Sequence, residues 1–338
     1  MKTAVIGTGK MGRKHIQIVK DLGYELVGIC DVNLERMTEL ENEFGLSEDQ
    51  KFTDVHLLLD KTRPECVIVS TTAPQHCAYV CLASYFNSRF ILCEKPMAVS
   101  LEQCDKMIEA SRKSGACLAI DHQMRFMAQY TEPKKIINSD EFGGLSSVTI
   151  VGGNFGMAMN GAHYFEMFRY MTDEEPHEVT AWFSKDKVPN PRGEQFEDRA
   201  GSIRVMTKSG KRLYMEIGAD QGHGVKVIYS GRHGQIVVDE LNGTMQIDIR
   251  DKQHRELPTT RYGMPGTQTL KKIQPTDVLG PSKAVLLALL EGKNYPTGEE
   301  GRLALATLVA AYVSNENGHA PIRVHDPKLP HDRIFPWA

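Results

Sequence analysis

In the first third of the chain, short apolar runs alternate with stretches whose apolar positions recur every three or four residues. The runs near 2–7, 25–30, 66–70, 90–93 and 117–120, such as Cys66-Val67-Ile68-Val69, carry too little polar character for a strand with one wet face. They read as strands of a parallel sheet covered on both sides by helices. The intervening helical pattern is clearest over 10–22, where Met11, Ile16, Ile18, Val19 and Leu22 share a face, and it returns over 33–43, from Pro74 and His76 through Ala83, and over 100–114. Near residue 121 the period changes. Ser202 to Thr207, Arg212 to Gly218, Val225 to Tyr229, Ile236 to Asp239 and Met245 to Ile249 alternate apolar with polar. Turn residues at Lys208-Ser209-Gly210, at Gly231 to Gly234 and at Asn242-Gly243 join them as hairpins of an open, mostly antiparallel sheet. Helices over Ser282 to Glu291, behind Pro281, and over Gly298 to Asn317 follow. The expected architecture is α/β: a doubly wound parallel domain over 1–121, then an α/β domain over 122–338 whose final helices are free to pack back on the first.

The first strand runs into Gly7, Gly9 and Gly12, a G-x-G-x-x-G turn opening a helix. In such a turn the first glycine makes the tight bend, the second lets backbone approach a pyrophosphate and the third lets the helix press on its strand. The helix N-terminus then offers free N–H groups and partial positive charge to phosphate. Thr8, Lys10 and Met11 complete the cradle. Asp31 closes the second strand nineteen residues beyond Gly12, near the spacing at which a carboxylate meets the ribose 2′-hydroxyl of NAD. A carboxylate there repels a 2′-phosphate, so NAD is expected in preference to NADP. The competing role for Asp31 is a cap on the helix over 33–43.

Composition adds exclusions. At 338 residues the chain is longer than one hydrophobic core usually supports, in keeping with two domains. A net charge of -3 gives no basic excess to suggest nucleic acid or anionic membrane, so a small molecule is the expected partner. The strand pattern begins at Lys2 and no apolar run approaches bilayer length, which points to the cytoplasm. All seven cysteines fall between 30 and 117, several as small hydrophobes in strands. Cys77 and Cys81 stand one helical turn apart, but no second pair has ligand spacing, and no metal is expected. Phe335 and Trp337 in the last residues suggest a terminus covered by a partner surface.

Ligands of open parallel sheets lie beyond the carboxyl ends of the strands. There the chain carries Thr71, Pro74 and His76, and then Glu94-Lys95-Pro96, with a proline able to take the cis form and fix the lysine before it. Asp121-His122-Gln123-Met124-Arg125-Phe126 follows the last of these strands. Farther on, a helix beginning near Asn160 places His163, Glu166 and Met167 on one side. A histidine there can take a proton from a sugar hydroxyl as hydride leaves the same carbon, and Lys95 can hold that oxygen. Arg125, Arg169, Arg232 and Arg261 are candidates for a clamp on a phosphate or carboxylate.

In this order, GTGKMG with Asp31, APQH, EKP, QMRF and the G-x-H-x-x-E helix resemble the glucose-fructose oxidoreductase, inositol dehydrogenase and MocA family over essentially the whole chain, including the PTGEEG turn before the closing helix. The resemblance implies a Rossmann domain and a second α/β domain whose open sheet makes a homodimer or tetramer. It implies NAD(P)-dependent oxidation or reduction of sugars, polyols or their derivatives. It implies that Lys95 is catalytic, that His163 is an acid/base, and that nicotinamide binds near Pro96, with Glu94, Thr71, Pro74 and His76 also on the cofactor and Arg125, Asn160 and His163 on the substrate. One departure stands out. Where the family carries a carboxylate four residues before its histidine, this chain has Met159, and Asn160 is the neutral neighbour left to replace it. Without that carboxylate His163 is expected to titrate lower.

Three functions follow. The first is hydride transfer between nicotinamide and a sugar, cyclitol or derivative, phosphorylated or nucleotide-linked if the clamp holds. A second is glycoside cleavage by transient oxidation and elimination with retained NAD. The third is NAD binding without catalysis.

Overall fold

The computed structural model describes residues 1–153, 155–259 and 263–338. In chain order the regular elements begin with β1 (Lys2–Ile6), α1 (Lys10–Asp21), β2 (Glu25–Cys30), α2 (Leu34–Phe44), β3 (Lys51–Phe52), α3 (Val55–Thr62), β4 (Cys66–Val69), α4 (Ala73–Tyr85), β5 (Phe90–Cys93), α5 (Leu101–Ser114) and β6 (Cys117–Ile120). They continue with α6 (Ala128–Ile137), β7 (Leu145–Gly153), α7 (Ala162–Thr172), β8 (Pro176–Lys187), β9 (Arg199–Thr207), β10 (Arg212–Gly218), β11 (Lys226–Gly231) and β12 (Gly234–Asp239). Last come β13 (Thr244–Arg250), β14 (Gly266–Lys272), α8 (Leu279–Glu291), α9 (Gly298–Glu316) and β15 (Ile322–Arg323). Two compact units result: Met1–Gln123 with Val278–Leu305 and Pro330–Ala338, and Met124–Asp277 with Ala306–Leu329.

The first unit holds a six-stranded sheet in the order β3-β2-β1-β4-β5-β6, every pair parallel. Because chain order reverses between β1 and β4, the loops leaving those two strands diverge and leave a crevice at their carboxyl ends. All four residues of β4 are fully buried, the expected cost-free state of a Cys-Val-Ile-Val run with helices on both faces. Helix starts follow local chemistry: Asn33, Asp54 and Ser100 each accept a backbone N–H from the first turn of α2, α3 and α5. The short β3 has no counterpart in the sequence reading, since two residues show no period.

The second unit holds nine strands in the order β14-β13-β12-β11-β7-β10-β9-β8-β15. β7 and β10 pair in parallel and the other pairs are antiparallel. Alternate residues of β9, β10 and β13 are buried, so one face carries the core, and Trp182 and Tyr214 are partly exposed. The reading of the C-terminal tail needs correction. Phe335 and Trp337 are buried in the first unit, stacked with ring centroids 4.4 Å apart, and Phe335 N–H donates to the Val99 carbonyl, so no partner is needed to cover them. A second correction concerns the helix behind Pro281: α8 begins at Leu279, with the proline inside its first turn, where its missing N–H costs nothing. No helix among the described residues is long and apolar enough to cross a membrane.

Candidate active site

The glycine turn of the first unit is fixed from below. Gly7 has φ +89°, its N–H donates to the Cys30 carbonyl, and Ser70 Oγ donates to the Gly7 carbonyl at 2.8 Å. A Cβ on Gly7 would meet Ser70 and Thr71 backbone at 2.7 Å, and one on Gly12 would lie 2.0 Å from the Gly7 oxygen. At Gly9 the same test meets nothing within 4 Å. Two glycines thus serve packing, whereas the third keeps a surface open at the start of α1. Among the described residues no side chain caps that helix, and its first turn carries no acidic residue, which leaves its N–H donors and positive end available to an anion. These features fit a dinucleotide pyrophosphate. Lys10 is exposed and Met11 half-buried beside this opening.

Asp31 ends β2 and is tied to the same turn. Its Oδ2 accepts from both the backbone N–H and the hydroxyl of Thr8 at 2.7 Å, and Oδ1 accepts from the Asn33 N–H. Partial burial opposes its charge, but these hydrogen bonds and Arg36 outweigh burial and hold the carboxyl below its usual range, so it is ionised at neutral pH. The α2 cap is Asn33, whose side chain accepts from Arg36 N–H. Arg36 also approaches Asp31, at 3.6 Å.

Beyond β4, Thr71 is half-buried and Pro74 exposed in the first turn of α4. His76 is buried. Its ring nitrogens lie 3.0 Å from the Pro96 carbonyl and 3.1 Å from the Thr71 carbonyl, so the ring sits between the two loops and, when neutral, donates to one of them. Burial lowers its pKa despite those carbonyls and the charge of Glu94, favouring a neutral ring. The Lys95-Pro96 peptide bond is cis, Lys95 is half-buried and Glu94 is buried.

In the second unit a single π-helical turn, Met157–Gly161, leads into α7. π turns are uncommon and concentrate at functional sites. Asp198, buried just before β9, accepts from the Ala158 and Met159 N–H groups at 2.8 Å each. A Cβ at Gly156 would lie 2.1 Å from its carboxyl carbon, so only glycine admits this cap. A carboxylate therefore does sit at Met159, supplied from elsewhere in the chain and spent on backbone. Asn160 is half-buried in that turn, and His163 and Glu166 are buried within α7.

Glu166 is shared. Arg125 Nη2 donates to Oε1, while Arg169 donates from Nε to Oε2 at 2.7 Å and from Nη2 to Oε1 at 3.0 Å. Two of the four clamp arginines thus converge on one carboxylate. Arg232 is exposed and faces Glu256 at 3.7 Å, and Arg261 lies outside the described residues.

Sequence reasoning missed two sets of residues. His15 follows the glycine motif within the apolar row of α1, and a histidine in such a row needs a buried partner, which was the available signal. Asp198 had none, because its contacts lie about forty residues upstream.

Known proteins resemble this chain in sequence and fold. Residues 1–122 match the family described as "Oxidoreductase family, NAD-binding Rossmann fold" and designated GFO_IDH_MocA. Inositol 2-dehydrogenase of Salmonella paratyphi B is 30% identical over 95% of this chain and 96% of its own. Among solved structures, an oxidoreductase from Agrobacterium radiobacter in complex with NAD+, L-tartaric acid and magnesium superposes with TM-score 0.79 at 18% identity, covering 96% of this chain and 98% of that one. The aldose-aldose oxidoreductase from Caulobacter crescentus, complexed with glycerol, gives TM-score 0.78 at 20% identity, covering 96% and 99%. The chain belongs to the Gfo/Idh/MocA family of NAD-binding oxidoreductases.

Proposed function

We propose that this oxidoreductase is a dehydrogenase of CH–OH groups, acting on a cyclitol, a sugar or a close derivative, with NAD preferred to NADP. The observation that carries this reading is the pairing of an open Gly9 with an ionised Asp31 bonded to the same turn, supported by the 30% identity to an inositol 2-dehydrogenase along nearly its full length. Bound NAD would supply the hydride acceptor. The chain's own work is assigned as follows. Gly7 to Gly12 and the α1 N-terminus hold the pyrophosphate, with Thr8, Lys10 and Met11 at its edges. Asp31 accepts from the ribose hydroxyls and repels a 2′-phosphate; the Arg36 charge nearby is already drawn to it. Thr71, Pro74, His76, Glu94 and Pro96 shape the loops on the nicotinamide side.

Lys95 is assigned to the reacting oxygen, where an ammonium stabilises developing negative charge. His163 is assigned the hydroxyl proton as general base, and Asn160 and Arg125 contacts to the substrate. The first unit is then the NAD domain and the second the substrate domain, working in the cytoplasm as a homo-oligomer assembled through the open sheet. NADH formation at 340 nm with a panel of cyclitols and sugars tests the reading. Lys95→Ala is expected to lower turnover at least about a hundredfold while NAD affinity stays within about twofold. Unchanged turnover in that variant would remove Lys95 from the chemistry, and glycoside cleavage without net NADH would replace the reaction class.

A further inference from the structure

Beneath the turn that carries Lys95 lies a charge cluster of which only Glu94 has a role so far. His15 of α1, Glu94 after β5, Asp121 after β6 and Ser282 of α8 all belong to the first unit, and each is buried to 5% exposure or less. His15 Nε2 lies 2.9 Å from Glu94 Oε1 and 3.8 Å from Asp121 Oδ2. Ser282 Oγ donates to Asp121 Oδ2 at 2.8 Å, and the Asp121 N–H donates to the Cys93 carbonyl at 2.8 Å. Glu94 is the residue immediately before Lys95, and its other oxygen lies 3.4 Å from the Lys95 backbone nitrogen.

Charge counting shows what this cluster requires. Two carboxyl groups face one imidazole, so even with His15 protonated one negative charge is left over at a buried site. Burying an uncompensated carboxylate costs several kcal/mol, and a proton removes that cost. The surrounding groups fix where the proton goes. Burial opposes ionisation of Glu94, but the hydrogen bond and charge of His15, then the charge of Lys95, outweigh it and keep Glu94 an anion. Burial lowers His15, yet Glu94 and then Asp121 raise it above its ordinary value against Lys14. Burial and the charge of Glu94 push Asp121 up to about 7, against His15 and the Ser282 hydroxyl.

We propose that His15 is a positioning residue for Lys95: its charged hydrogen bond to Glu94 ties the Lys95 turn to the helix that begins at the glycine turn, and a proton held on Asp121 keeps that bond intact. The proposal rests on the assignment of Lys95 to the reacting oxygen. The consequence is a link between cofactor anchor and catalytic lysine that acts within one unit and loosens in mild alkali. When Asp121 loses its proton, a second buried carboxylate competes with Glu94 for His15.

The test uses the full-length protein and has readouts that do not depend on turnover. The rate of reductive methylation of the Lys95 amine, followed by peptide mass spectrometry, is expected to change severalfold in His15→Leu and to return toward wild type in His15→Gln, which still donates to Glu94. Nitrogen-15 shifts of the His15 ring are expected to show a raised titration that falls toward the ordinary value in Glu94→Gln. Where turnover is measurable, His15→Leu should lower kcat by about tenfold to a hundredfold at saturating NAD, as misplacement of a catalytic group does. Asp121→Asn, which mimics the protonated form, should flatten the alkaline decline of kcat. Lys95 reactivity unchanged in His15→Leu, or a His15 ring that titrates normally, overturns the proposal. So does one equivalent of divalent metal in the purified protein that His15→Leu abolishes, because a cation would then take the place of the proton. A wild type inactive on every CH–OH substrate, with Lys95 reactivity still governed by His15, would defeat the assigned function alone.

Discussion

Each unit buries one carboxyl group whose pKa is pushed up to about 7, and the two reach that value by different routes. Asp121 in the first unit is raised by burial and by the charge of Glu94 beside it. Glu240 in the second is raised by burial, with a small push from Asp239, against the hydroxyls of Tyr130 and Tyr164 that donate to its two oxygens. Burial raises both, but the proton on Asp121 also depends on another ionisable residue, Glu94, whereas that on Glu240 follows mainly from burial. Glu166, also buried, is held instead by the guanidinium groups of Arg125 and Arg169. A fold can bury negative charge by pairing it, by protonating it, or by making one carboxyl the condition for protonating another; only the last builds in a coupling between sites.

The largest expected effect tests the paired case. Glu166→Leu would leave Arg125, 5% exposed, and Arg169, 19% exposed, with their shared anion gone. Removing one partner of a buried ion pair costs about 3–5 kcal/mol, so urea denaturation should show a loss in that range. A loss below about 1 kcal/mol would mean that water reaches the pair and that Glu166 belongs with the surface ion pairs.

A smaller effect separates the two protonated carboxyls. A carboxyl whose folded pKa exceeds its unfolded value lets the folded protein keep a proton that the unfolded chain has released. Stability contributed this way falls as pH rises from the ordinary value, 3.8 for Asp121 and 4.5 for Glu240, through about 7. His15 steepens the fall above 6.5, because its raised pKa is favourable only while the ring is charged. Asp121→Asn and Glu240→Gln should each flatten the decline between pH 5 and about 7, read as melting temperature against pH. The distinguishing variant is Glu94→Gln: removing that charge should lower Asp121 and flatten its share while the Glu240 share persists. If Glu94→Gln flattens nothing further in the Glu240→Gln background, the two carboxyls are not controlled separately and the contrast drawn between the units breaks.

How far these arrangements could be read from sequence depends on the range of the interactions. Strands such as Glu25–Cys30 and Cys117–Ile120 coincide with their apolar runs because burial on both faces leaves its mark in most of their residues. Gly7, Gly9 and Gly12 were legible as a motif, but their separate duties, two against backbone and one open, needed coordinates. Glu166 and Arg169 stand at i, i+3, a spacing visible in sequence; the arrival of Arg125 from another segment was not. Asp121 and Ser282 are 161 residues apart and Met159 and Asp198 39 apart, and no local pattern announces such meetings. The π turn before His163 has no propensity signal, since it depends on that distant cap.

The smallest effect supplies the control. Arg302 donates to both oxygens of Asp105, a bidentate geometry like the one Arg169 makes with Glu166, but the two side chains are 28% and 48% exposed. Bidentate contact is the same in both pairs; access to water is not. Solvent screens the Arg302 charge and readily hydrates Asp105 when its partner is removed, so Arg302→Ala should cost less than about 1 kcal/mol in urea unfolding. If it instead costs as much as Glu166→Leu, burial would not be what separates these pairs. The contrast between paired, protonated and conditionally protonated carboxyls would then have to be rebuilt on geometry alone.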